Sequence, residues 1–224
     1  MTGQEWSIVA FTLRMAGLSL LLSLPFGLAI AWLLSRGKWT GKTLVEALVS
    51  LPLVLPPVAT GMILLKLAGR RAGLGSLFHR VFGAEIVFTW RAVVLAMMVM
   101  SFPFLVRHAR DAFEEVNPRL EQVARSLGGG ELRVFFTITL PLAVRGVVGG
   151  IVLSFARAVG EFGATILVAG NIPGRTTTVS LAIYSDLQLG RDGDAARLVG
   201  ITAVIAFVAV WIGETFLAKR KRRR

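Results

Sequence analysis

From Ile8 to Leu34 the chain runs through 27 residues with one charge, Arg14. A bilayer core demands about 20 apolar residues in a helix, and no lipid-exposed irregular backbone survives there. Four more apolar stretches follow: Leu44 to Leu65, Ala92 to Val106 with a start near Ile86, Leu142 to Ala169, and Leu198 to Ala218. The expected fold is therefore an all-α membrane protein with about five transmembrane helices in one domain, 1–224. The 54% hydrophobic content agrees with that class. No second domain, low-complexity linker or internal repeat interrupts it. Pro25 and Gly27 are expected to kink the first span, which neighbouring helices can cover.

Net charge is +12, yet no basic patch is interleaved with aromatics, so a nucleic-acid partner is not expected. Lys and Arg accumulate in cytoplasmic loops of membrane proteins. With the C-terminus inside, the inner loops and tail hold 15 basic residues and the outer loops 8. That orientation puts the N-terminus outside and the loop 108–141 in the cytoplasm. The tail Lys219–Arg224 then meets anionic lipid of the inner leaflet. There is no cysteine, so no disulfide or thiolate metal site is possible, and His79 and His108 alone do not support a metal site. A cleavable signal peptide is not expected, since no basic region precedes the first run.

Within the long polar loop, Asn117 to Pro141 carries sharp punctuation. Asn117 suits an N-cap and Pro118 the first helical position. Leu120, Val123, Ala124 and Leu127 share one helical face. Gly128 stands where a left-handed C′ residue sits, Gly129 and Gly130 permit a turn, and Glu131 opens a second helix toward Pro141. Such a helix can lie on lipid headgroups or dock in a groove on a partner. The narrow apolar face without Trp and the mixed Arg119, Glu121 and Arg125 favour docking.

Elsewhere, Pro52, Pro56 and Pro57 should prevent a regular second span. Kinked packing and part of a gate are both open readings. Arg157 and Glu161, at i and i+4 inside the fourth span, can pair on one face. They either line a pathway or brace helices. Gly160 and Gly163 allow close helix approach and read as helix-packing positions, with Gly163 also a candidate pathway or gate position. Leu77 to Phe82 and Thr178 to Leu187 suit short helices in the outer loops. Asp186, Asp192 and Asp194 read as solvated surface, and attraction of an anion by outer-loop Arg residues is screened by salt. No phosphate-binding loop and no catalytic serine elbow is present, so neither ATP hydrolysis nor intramembrane hydrolysis is expected of this chain.

The spacing Ala124, Gly128, Ile138, Leu140, Pro141 resembles the EAA loop of ABC-importer permeases, Glu-Ala-Ala, three residues, Gly, nine residues, Ile-x-Leu-Pro. The first two motif positions fall on Gln122 and Val123, with Glu121 one place early. Leu51–Pro57, Phe155–Thr165, Phe135–Pro141 and Asn171–Gly174 look like the molybdate branch, with sulfate, thiosulfate and tungstate permeases as relatives. The resemblance implies a type I importer permease in a bacterial inner membrane, acting as a homodimer. Its implied partners are two cytoplasmic ATPase subunits, which bind ATP and Mg, and an external oxyanion-binding protein. It further implies that Leu120, Glu121, Gln122, Val123, Ala124, Arg125, Leu127, Gly128 and Gly129 couple to the ATPase, and that Ile138, Leu140 and Pro141 carry the motion into the fourth span.

Overall fold

A computed structural model describes residues 3–37, 39–70 and 73–221. Of the basic tail, the side chains of 219–221 and all of 222–224 lie outside the described residues, as do Lys38 and Arg71. Every regular element described is helical. The order is α1 Gly3–Ser35, α2 Lys42–Val54, α3 Pro57–Ala68, α4 Gly73–Phe82, α5 Trp90–Glu114, α6 Pro118–Ser126, α7 Glu131–Val134, a π-helical turn Phe135–Thr139, α8 Leu140–Val159, α9 Gly163–Ala169, α10 Val179–Gln188 and α11 Asp192–Lys221.

Four helical segments are long and apolar enough to cross a bilayer: Gly3–Ser35, Trp90–Glu114, Glu131–Val159 and Asp192–Gly213. The pair α2–α3 passes the same test together but is bent by 113°, which makes up to five spans. The expected second span is therefore two rods. Pro56 caps α3 with extended backbone and Pro57 fills its first turn, where a missing N–H costs nothing. Pro52, expected to break the helix too, is accommodated inside α2.

Helix α5 is the axis of the bundle, with α1 and α8 packed along it. Its buried face reads Ala92, Val93, Ala96, Met97, Met100, Leu105, Val106, Ala109. Between lipid-bathed helices, cohesion comes from close van der Waals packing and interhelical hydrogen bonds, and small residues permit both. Ser154 on α8 donates to the Ser101 carbonyl of α5 at 3.3 Å. Thr12 on α1 accepts the Val179 N–H at 2.9 Å, which fixes α10 against α1.

Four expected boundaries move. The third span begins at Trp90, not near Ile86, because Thr89 caps it by accepting the Arg91 N–H. It runs on to Glu114, past the polar Arg107 and Arg110, so residues 108–114 of the expected loop are helix. The fourth span does not reach Ala169 unbroken; α8 stops at Val159 and α9 starts afresh at Gly163. The last helix begins at Asp192, ahead of Leu198, and α4 and α10 occupy the places expected of short helices.

Candidate coupling helix and broken-helix contact

Helix α6 forms as its sequence dictates. The Asn117 side chain accepts the Arg119 N–H at 3.0 Å, and Pro118 takes the first turn. At the other end the Gly128 N–H bonds to the Arg125 carbonyl at 2.9 Å and the Gly129 N–H to the Ala124 carbonyl at 3.0 Å. With Gly128 at φ +86°, this pair is a Schellman stop, and a side chain there would strain the backbone without striking a neighbour.

The way α6 is turned is the informative part. Leu120, Val123 and Leu127 are 48%, 57% and 83% exposed, and Gln122 is exposed beside them. Ala124 is half-buried. The charged side faces the chain's own body. Arg36, just past α1, donates to Glu121 at 3.0 Å and stacks over the Trp32 ring at 4.8 Å. Arg125 bonds Glu131 at 2.7 Å and Glu121 at 3.3 Å. The hydrogen bond to Glu131 holds the Arg125 guanidinium above its usual range. The Thr139 hydroxyl, itself buried, donates to the remaining Glu121 oxygen. A soluble helix hides its apolar stripe and shows its charges; α6 does the reverse.

Beyond α6 the chain enters the bilayer without interruption. Residues 131–159 form one helical segment, so the second half of the expected loop belongs to the span. The π-helical turn precedes Pro141, which lacks an N–H and would crowd a regular turn. Ile138 and Leu140 are half-buried, Pro141 is exposed, and Leu140 packs on the cluster of Phe113, Phe135 and Val147. Phe135 lies 5.0 Å from the Trp32 ring and 5.6 Å from Phe113. Thus α6, α1 and the start of α8 share one patch. Arg36 and Thr139 carry that patch, and sequence reasoning missed both, since Arg36 stands 85 residues from Glu121.

The second group of candidate residues meets where two broken helices touch. Arg157, in the last turn of α8, bonds Glu161 at 2.8 Å. The expected pair exists, but Glu161 sits in the break between α8 and α9. Its other oxygen accepts the Ala164 N–H at 2.8 Å, so one carboxylate, 1% exposed, caps α9 and holds Arg157. Gly163 lies against the start of α3, where an added Cβ would stand 2.7 Å from the Pro57 Cβ. On the other side, a Cβ on Gly61 would meet the Ala164 backbone at 2.8 Å. Gly160 makes no such approach, so its expected packing role is not seen. Pro57 and Gly163 are thus in contact, while Pro52 lies a turn earlier, inside α2.

Comparison with known proteins agrees with this architecture. The molybdenum transport system permease protein ModB of Escherichia coli strain K12 is 48% identical over 225 residues, covering 100% of this chain and 98% of that one. ModB of Haemophilus influenzae is 42% identical over 221 residues, covering 98% and 96%. Among solved structures, an inward-facing MetNI methionine ABC transporter aligns with a TM-score of 0.74 at 17% identity, over 98% of this chain and 99% of that one. At that identity it speaks for the fold, which is that of a type I importer permease. The family described as binding-protein-dependent transport system inner membrane component matches residues 23–222. The chain therefore belongs to the binding-protein-dependent transport system inner membrane component family, whose members are permease subunits served by a separate ATPase.

Proposed function

We propose that this chain is the membrane-spanning subunit of an ATP-driven molybdate importer in a bacterial inner membrane, working as a homodimer. The relatives named for molybdenum transport support the substrate. The observation that carries the mechanism is the outward apolar face of α6, Leu120, Val123 and Leu127. It suits the groove of a cytoplasmic ATPase that binds ATP and Mg. A binding protein delivers the oxyanion to the opposite end of the bundle, beside the N-terminus. The positive-inside bias supports a cytoplasmic α6 and C-terminus.

In this account ATP binding draws the two ATPase subunits together and pulls both copies of α6. Arg36, Glu121 and Thr139 pass the pull to α1 and to the segment that continues into α8. That segment ends at the break holding Arg157 and Glu161, where the contact of Gly163 with Pro57 transmits it to α3. The bent α2–α3 pair and the α8–α9 break are where such a bundle can change shape.

The test is reconstitution of the permease with its ATPase and binding protein in vesicles. Labelled molybdate should accumulate only with ATP and all three components. A tenfold excess of sulfate should compete weakly; sulfate accumulation in preference to molybdate would make the chain a sulfate permease. Accumulation without the ATPase would overturn the mechanism.

A further inference from the structure

At the end of the bundle remote from α6, the start of α1 and the segments 171–177 and 182–198 border an open cavity of about 660 Å³. Four guanidinium groups line it, from Arg14, Arg175, Arg191 and Arg197, against the three carboxylates of Glu5, Asp186 and Asp194. The carboxylates are engaged. Arg191 bonds Asp186 at 2.6 Å, and Arg197 bonds Glu5 at 3.3 Å as well as Asp194. Among the described residues, no ion pair or hydrogen bond reaches the guanidinium group of Arg14 or of Arg175, although the Arg175 backbone N–H bonds the Ile172 carbonyl at 3.0 Å. Asn171, also on the wall, accepts the Thr177 hydroxyl at 2.7 Å through its carbonyl oxygen, which leaves its NH2 group to donate.

Arg14 is the telling residue. It lies in the apolar run of α1, where a guanidinium is costly unless it meets water, a partner or a ligand. Here it is exposed on a polar cavity, and among the described residues no carboxylate neutralises it. A guanidinium beside neutral N–H donors matches the oxygen edges of a tetrahedral oxyanion. The imbalance of four cations to three anions gives the cavity the sign that attracts one. A local field inside a cleft is also less screened than the same charges on an open surface.

We propose that this cavity is a transit site for a tetrahedral oxyanion, with Arg14 as its main cation and Arg175 and Asn171 as supporting donors. The cavity exceeds the size of such an ion, so the anion passes through partly hydrated, as fast release requires. The inference rests on the reading of the chain as an oxyanion permease.

The experiment uses the full complex in vesicles and radiolabelled molybdate. With saturating loaded binding protein, Arg14→Gln should lower turnover about tenfold, the factor one charge-assisted hydrogen bond is worth. The KM for loaded binding protein should stay within about twofold, because docking is untouched. Arg14→Lys should keep most of the turnover. Arg175→Gln, on an exposed loop where misfolding is not at issue, should lower it about threefold, as befits a screened charge. Wild-type turnover in both Gln variants would overturn the site. So would a loss that falls entirely on KM, which would make the cavity a docking surface, or a Lys variant as inactive as the Gln one. If the wild-type complex moves no oxyanion at all, the permease reading itself fails and takes this site with it.

Discussion

At the coupling end, α6 is held to the body by Arg36, Glu121, Arg125 and Glu131, in pairs of 2.7 to 3.7 Å whose members are partly open to solvent. At the break between α8 and α9, the contact is mainly steric: Gly163 lies on Pro57, Gly61 on Ala164, and Glu161 is 1% exposed, while its partner Arg157 stays partly open. Exposed pairs contribute roughly 0.2–1 kcal/mol each and weaken with salt. A buried carboxylate is costly to leave alone, and close helix contacts do not tolerate added atoms. The first region can change its bonds as a partner pulls; the second passes displacement on because it cannot yield.

The largest effect should therefore come from Glu161→Ala. It removes the cap of α9 and the partner of Arg157, whose side chain is partly open to solvent, so the loss should be about 2–3 kcal/mol. Thermal unfolding of the detergent-solubilised chain should show a marked loss of stability. If stability is unchanged, the break is not held by that carboxylate. Next, Gly61→Val drives side-chain atoms into the Ala164 backbone, for about 2 kcal/mol of overpacking. The same measurement should show it, and Gly61→Ala should fall between Val and wild type.

At the other end the chain itself should barely notice its mutations. Val123→Asp should leave unfolding within about 0.5 kcal/mol, as exposed positions do. It should nevertheless weaken capture of the ATPase about tenfold or more, as loss of a central apolar anchor does. The smallest functional effect belongs to Glu121→Gln, which should cost about 0.5 kcal/mol in stability. Its signature is salt: the wild-type loop should become more accessible to limited proteolysis as ionic strength rises, and the variant should start there. Equal salt response in both would mean the ionic ring does not hold α6.

How much of this was readable in advance follows from range. Asn117, Pro118 and Gly128 act on their immediate neighbours, and the helix they bound was legible to the residue. Pro56 and Pro57 marked the bend for the same reason. What lay hidden depended on distant partners. Glu121 looked like a motif residue one place out of step, and only the fold brings Arg36 and Thr139 to it. Arg107 and Arg110 read as loop, but α5 continues past the apolar stretch, where Arg110 bonds Glu46 of α2 and Glu114, each at 2.7 Å. Glu161 kept helical spacing from Arg157, yet it caps a new helix instead of continuing the old one. Small residues on both sides of that break were visible, but which helix they approached was not.

The central claim is that the exposed face of α6 is gripped from inside the cell by a separate ATPase. The chain contains no cysteine, so Val123→Cys gives one thiol at the middle of that face. A membrane-impermeant maleimide should label it in inside-out vesicles, should fail to label it in right-side-out vesicles, and should be blocked when the ATPase subunit is added. Labelling from the outer side, or labelling that the ATPase leaves unchanged, would contradict the account.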